Sequence, residues 1–229
     1  MTGLRERQKA GRREGILKAA GDLFRRDGFA ATSMEQIAER AELSTGTVYN
    51  YFTSKGDLLL ALVALDGEEV RAAGARHVAR PLADPVAAVN ALLQSYVDHA
   101  LVHLDKRLWR HMMGTALTFA ETPMGARYRA LDRKLAVQVG DLCFALQKRG
   151  DIPGDVDCQD AGQILFYVCN SLFMEFVADD ALALSTMKRR MFREVHLIFR
   201  GLLGAAASRA TAKSKRRPAA PTNHRSAAN

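Results

Sequence analysis

Cysteine is scarce in this chain, with only Cys143, Cys158 and Cys169 among 229 residues. An odd number at wide spacing excludes a disulfide framework and fits free thiols in a reducing compartment. No two stand at Cys-x-x-Cys spacing, so a zinc site is not expected and core packing suits them better. No apolar run approaches the roughly 18 residues that span a bilayer, so no membrane partner is expected. The N-terminus, MTGLRERQKAGRREG, is basic with no apolar stretch behind it, unlike a secretory signal, and the expected location is cytoplasmic. No segment alternates as a strand does, and no internal repeat is visible. Catalytic signatures are missing too. There is no Ser/His/Asp arrangement in motif context, no phosphate-cradling Gly-rich loop and no paired-carboxylate signature. No enzyme, catalytic residue or cofactor is therefore expected. His99 and His103 stand four apart on one helical face, but no third ligand lies near in sequence, so no metal is expected either.

What the chain does have is basic ends. The net charge is +8, of which residues 1–13 carry +4 and residues 207–229 carry +6, leaving the body at −2. Such a distribution suits a polyanionic partner, most simply nucleic acid.

Helical punctuation fills the rest. GILKAAGDLFRRDG sets Ile16, Leu17, Ala20, Leu23 and Phe24 on one face and stops at Gly28. Thr32-Ser33-Met34-Glu35-Gln36 carries a capping-box signature, with either hydroxyl residue as the cap. Ser44 and Ser54 sit where the next two N-caps belong. Asp84-Pro85 and Thr122-Pro123 each place a cap before Pro at the first helical position. A break is expected near 103–106, capped by Asp105. The helix from about 124 stops at QKRGDIPG, and two more follow, from about Asp157 to Ala178 and from about Ser185 to Gly204. The expected fold is all-α, with about nine helices.

The second and third helices are separated only by Glu42-Leu43-Ser44 and can pack through Ile37, Ala38, Ala41, Leu43, Val48 and Phe52. That is a helix-turn-helix, whose second helix lies in the DNA major groove. The segment Thr45-Gly46-Thr47-Val48-Tyr49-Asn50-Tyr51 is poor in helix formers, and its composition makes sense as a contact surface. Thr45 and Gly46 keep the start of the helix thin enough to approach bases. Thr47, Tyr49, Asn50 and Tyr51 offer donors and flat groups. Lys55, and Thr32 or Ser33, stand at helix N-termini, where phosphate is favoured.

The run ILKAAGDLFRRDGFAATSMEQIAERAELSTGTVYNYFTSKGDLL closely resembles the DNA-binding head of the tetracycline-repressor (TetR) family. The order is helix, Gly-Phe turn, Thr-Ser cap, Ile-Ala, a turn ending in Ser, GTVY.YF, then SK..LL. The resemblance implies that Thr45, Gly46 and Tyr49 face bases. It also implies that Thr47, Asn50, Tyr51 and Lys55 hold phosphates, with Thr32 or Ser33 adding another. The family's turn usually has Gly where this chain has Glu42. A left-handed backbone there would cost a non-Gly residue about 1 kcal/mol, and a slightly altered turn is expected.

The expected organisation is a flexible basic arm over 1–11, a helix-turn-helix domain over 12–57, an effector-binding and dimerisation domain over 58–204 and a disordered basic tail over 205–229. The resemblance implies a homodimer through the last two long helices, on a palindromic double-stranded operator. His103, Trp109, Met112, Met113, Phe119, Phe144, Phe166, Cys169 and Phe173 are candidates to line a pocket for a small, largely apolar effector. The expected function is a repressor released by that ligand. The alternatives are a sequence-tolerant architectural DNA binder and an enzyme in the C-terminal domain.

Overall fold

The computed structural model describes residues 2–118, 120–121 and 123–215. Within its helices, the side chains at 2, 4, 5, 65, 66, 103, 123, 124 and 202–215 are outside that description. Phe119, Thr122 and the His103 side chain therefore lie outside the described residues, as do residues 216–229.

Nine helices make up the described residues: α1 Thr2–Asp27, α2 Met34–Arg40, α3 Thr45–Tyr49, α4 Lys55–Ala79, α5 Pro85–His103, α6 Lys106–Thr118, α7 Pro123–Arg149, α8 Cys158–Ala178 and α9 Leu184–Lys215. The all-α expectation holds, and local chemistry explains most boundaries. Asp84 Oδ1 accepts the Ala87 N–H at 2.6 Å ahead of Pro85. Asp105 Oδ1 accepts from Leu108 N at 2.8 Å, so the break between α5 and α6 falls where expected. The turns closing α1 and α7 carry Gly28 at φ +86° and Gly150 at φ +91°, conformations that cost a glycine little.

Both ends depart from expectation. α1 begins at Thr2 rather than near residue 12, and α9 runs past Gly204 to Lys215. Residues 3 and 6–15 are exposed, and Arg13 lies over the Phe52 ring, 5.4 Å from its centroid, tying that stretch to the head. Beyond Gly204, AAASRATAK is alanine-rich, and alanine is the best helix former.

α1–α3 and the start of α4 form a head around Ile16, Leu17, Phe24, Ile37, Val48 and Phe52, all at most 5% exposed. Burial of a side chain such as Val48 or Phe52 stabilises the head by about 1.5–3 kcal/mol. α4 runs from the head into the body, where it packs on α5 and α7; α7 packs chiefly on α8, and α8 on α9. α8 is long and apolar enough to cross a membrane by length and composition, despite the expectation from run lengths. Half of it is buried inside the protein, as in a core helix.

Candidate nucleic-acid interface and effector cavity

The head presents α3 on a tightly tied frame. Ser44 Oγ accepts the Thr47 N–H at 3.2 Å and also lies 2.8 Å from Thr47 Oγ1. That hydroxyl pair has two protons and uses one between its members, leaving one for an acceptor outside. Val48 is fully buried and anchors the back of the helix, while Gly46, Tyr49 and Asn50 are exposed, Tyr49 at 46%. Thr45, Thr47 and Tyr51 are partly exposed. Nothing lies within 4 Å of a Cβ built on Gly46. The outward face of α3 is therefore low at its start and flanked by a ring and an amide one turn on.

Two expected contact residues are turned inward. Thr32 is 1% exposed, and its hydroxyl donates to the Gly28 carbonyl at 2.9 Å. Ser33 takes the cap instead: its Oγ accepts from Gln36 N at 3.2 Å, and its N–H donates to Gln36 Oε1 at 2.7 Å. The first turn of α2 already holds a carboxylate. Glu35 bonds its own backbone N–H and Ser33, which lowers its pKa below the usual range. Lys55 Nζ donates to the carbonyls of Thr32 (2.6 Å), Phe29 (2.8 Å) and Ala30 (3.3 Å). It also sits 4.9 Å from the Phe29 ring centroid. With three donors and three carbonyls, the ammonium locks the α1–α2 turn against α4. Asp57, which sequence reasoning passed over, fixes the α3–α4 loop. It accepts from the backbone N–H (3.1 Å) and hydroxyl of Thr53, while its own N–H donates to Ser54 Oγ at 3.1 Å. The Ser-x-x-Asp spacing of a capping box was the available signal.

Glu42 adopts φ +56°. The turn is left-handed with a glutamate in it, the case to which the sequence reading attached a cost. The left-handed region costs an L residue about 1–2 kcal/mol, partly offset by the greater unfolded-state entropy of glycine. Glu42→Gly should raise stability by about 0.5–1 kcal/mol and the unfolding midpoint by about 1–4 °C. A lower midpoint by calorimetry would show that the glutamate side chain contributes something the turn geometry does not.

In the body, α4, α5, α6, α7 and α8 line a partly open cavity of about 70 Å³. Trp109, Met113, Phe166, Cys169 and Phe173 come together on its wall. The indole stands edge-on to Phe173 at 5.3 Å, and its N–H donates to Ala100 O at 2.7 Å. Burial pushes the Cys169 thiol up to about 12, which leaves it an inert packing group. Two sequence candidates do not line the cavity. Met112 is fully buried but lies about 100° round α6 from Met113. Phe144 is 48% exposed on the outer side of α7, with Lys148 Nζ 4.4 Å from its ring centroid.

Lining residues that sequence reasoning missed include Gly67 on α4, Tyr96 on α5, Tyr128 and Asp132 on α7 and Asn170 on α8. Asp132 had a signal, as a charge on the apolar stripe shared with Tyr128, Leu131 and Leu135. Its partial burial pushes its carboxyl up to about 6. The Tyr96 hydroxyl is committed, donating to Gln138 Oε1 at 2.8 Å, and Gln138 Nε2 in turn donates to Arg71 O on α4 at 2.8 Å.

On the other side of α6, the His111 and Phe29 rings meet at 4.0 Å, joining the body to the head turn that Lys55 locks. No sequence signal pointed to that contact.

Comparison with known proteins agrees with this geometry. The profile described as bacterial regulatory proteins, tetR family, matches residues 16–62. The chain is 40% identical over 63 residues to the HTH-type transcriptional repressor KstR of Rhodococcus jostii (strain RHA1), an alignment covering 28% of this chain and 30% of that protein. It is 23% identical over 169 residues to the HTH-type transcriptional regulator UidR of Escherichia coli (strain K12), covering 72% of this chain and 81% of that one. Among solved structures, a transcriptional regulator of the TetR/AcrR family from Thermobifida fusca superposes with a TM-score of 0.61 at 24% identity. That superposition covers 83% of this chain and 98% of the other, and it bears on the fold alone.

Proposed function

We propose, on the premise that this chain belongs to the TetR family of helix-turn-helix transcriptional regulators, that it is a homodimeric repressor. It would bind a palindromic operator and leave it when a small, largely apolar molecule enters the body cavity. Proteins of this family regulate transcription and are not enzymes. The cytoplasm, at the nucleoid, is the corresponding location.

The observation that carries the reading is α3 itself, a buried Val48 behind an open face of Gly46, Tyr49 and Asn50. Thr45, Gly46 and Tyr49 are assigned to base edges. Thr47, Asn50 and Tyr51 are assigned to phosphates, with Ser33 and the backbone N–H of Lys55 beside them. The units are the helix-turn-helix head over 12–57 and the effector and dimerisation body from 58 onward. Dimerisation through α8 and α9 is supported by the side chains they leave in water: Ile164, Tyr167, Met174, Phe192 and Leu197 are each 43–66% exposed. A two-fold pair would set two α3 helices about 34 Å apart, one DNA turn.

Release would act through α4, which lines the cavity with Val63, Gly67 and Val70 and starts beneath the head. The cavity is smaller than the roughly 150 Å³ that admits benzene in an engineered protein core. Any such effector must therefore widen it, and Gly67 marks where α4 lies against α7, with a Cβ built there only 2.1 Å from Leu131 Cδ1. A coupling of about 1–3 kcal/mol would lower operator affinity several-fold to over a hundred-fold.

Selection of bound sequences from a random DNA pool tests the reading. Two inverted half-sites about one turn apart are expected. Affinity that follows salt but hardly sequence would instead indicate an architectural binder.

A further inference from the structure

The cavity wall is apolar except at a few places. Of its polar side chains, the Tyr96 hydroxyl is bound to Gln138, leaving Tyr128, Asp132 and Asn170. Asp132 has no hydrogen bond or ion pair with any described residue. Tyr128 lies one turn before it on the same face of α7. The titratable groups facing the cavity are Tyr96 from α5, Tyr128 and Asp132 from α7 and Cys169 from α8. The described residues of α4 and α6 contribute none. No lysine, arginine or histidine lines it among the described residues. A carboxylate thus shares the cavity wall with Trp109, Phe166 and Phe173, and no cation among the described residues stands there to answer it.

We propose that the effector is a small organic cation, an apolar molecule bearing a protonated amine that pairs with Asp132 while its hydrocarbon part lies against Trp109 and Phe173. The inference rests on the effector-cavity reading above and narrows it to one chemical class. An ammonium restores the interaction the carboxylate lost on leaving water, and its hydrogen bonds can extend to Asn170 and the Tyr128 hydroxyl. The aromatic faces favour a cation as well. A ligand carboxylate would meet Asp132 charge to charge in an apolar surrounding and be rejected. The same logic sets the pH dependence. The carboxyl pushed up to about 6 is ionised at pH 7.5 and mostly protonated at pH 5, so amine binding weakens about tenfold between them. Without ligand, Asp132 favours the folded state below the ordinary carboxylate value of 3.8, and that contribution is lost as pH rises to about 6. Asp132→Asn should then raise the unfolding midpoint at pH 7.5.

Trp109 is the only tryptophan in the chain and sits in the cavity wall, so its fluorescence reports occupancy. Benzylamine, benzyl alcohol, toluene and benzoate are titrated into the full-length protein and into Asp132→Asn, with thermal shift as a second readout. Benzylamine should bind at least tenfold more tightly than benzyl alcohol, and benzoate least. In Asp132→Asn the amine preference should vanish while benzyl alcohol and toluene still bind, which also shows that the variant folds. Equal binding of amine and alcohol, or a preference that survives in Asp132→Asn, overturns the proposal and leaves the cavity reading standing. If none of the four alters Trp109 or the midpoint, the cavity reading falls and the proposal falls with it.

Discussion

Gly46→Gln should reduce operator affinity at least a hundredfold, about 2.8 kcal/mol, while leaving the unfolding midpoint unchanged or higher. The two halves of that result have separate causes. A Cβ at Gly46 meets nothing within 4 Å, and its φ lies outside the left-handed region, so the folded protein accepts a side chain there. Glutamine is a better helix former than glycine by up to about 1 kcal/mol, so α3 gains rather than loses. The position is the second residue of α3, just behind the Ser44 cap, where the helix must come nearest the base edges. A long side chain there holds the helix off the groove, and every contact from Thr45 to Tyr51 lengthens together. Gly46→Ala should fall between, at about tenfold. Titration of labelled operator, run beside calorimetry, checks both halves. Wild-type affinity in Gly46→Gln would mean that α3 does not enter the groove by its N-terminal end.

The other large effect is on the body. Gly162→Ala should destabilise the protein by about 3 kcal/mol or more, lowering the midpoint by about 6–12 °C. A Cβ on Gly162 would stand 2.2 Å from Gly140 N, 2.5 Å from Gly140 Cα and 2.9 Å from Val139 C. All three are backbone atoms, and no rotamer change relieves the clash. α7 and α8 would have to separate along their whole contact, disturbing the cavity wall at Phe166 and Cys169. Gly140→Ala is the internal control. The three atoms nearest its Cβ would all belong to the end of the Gln159 side chain, at 2.5–2.9 Å, and that side chain can swing aside. Its cost should be about 1 kcal/mol or less. Equal melting of the two variants would show that the two backbones do not touch at Gly162.

Much of the architecture can be read from local signals. Caps and stops act within four residues, so Ser44, Ser54, Asp84, Asp105 and Gly28 announce themselves without knowledge of anything distant. The head is legible for the same reason, since its two short helices and their turn occupy one continuous run. The choice between neighbouring side chains is not local. Thr32 and Ser33 are equally good caps by residue type. The Gly28 carbonyl takes the Thr32 hydroxyl while Lys55, 23 residues on, holds the Thr32 carbonyl, and Thr32 loses its place at the surface. Lys55 reads as a phosphate ligand until three carbonyls from 23–26 residues earlier surround it. Phe144 and Asp132 exchange their apparent roles on α7. The aromatic faces water and the acid faces the cavity, because α8 and α4 select which side of that helix is covered.

Residue order and spacing were thus enough to establish an all-helical chain with a DNA-reading head, because helix signals and the turn between two helices are short-range. Which side chains stay exposed on α3, which lock the head and which acid lines the cavity was decided by packing between helices far apart in the chain. Burial and partnership are properties of the assembled fold, and no stretch of neighbouring residues contains them.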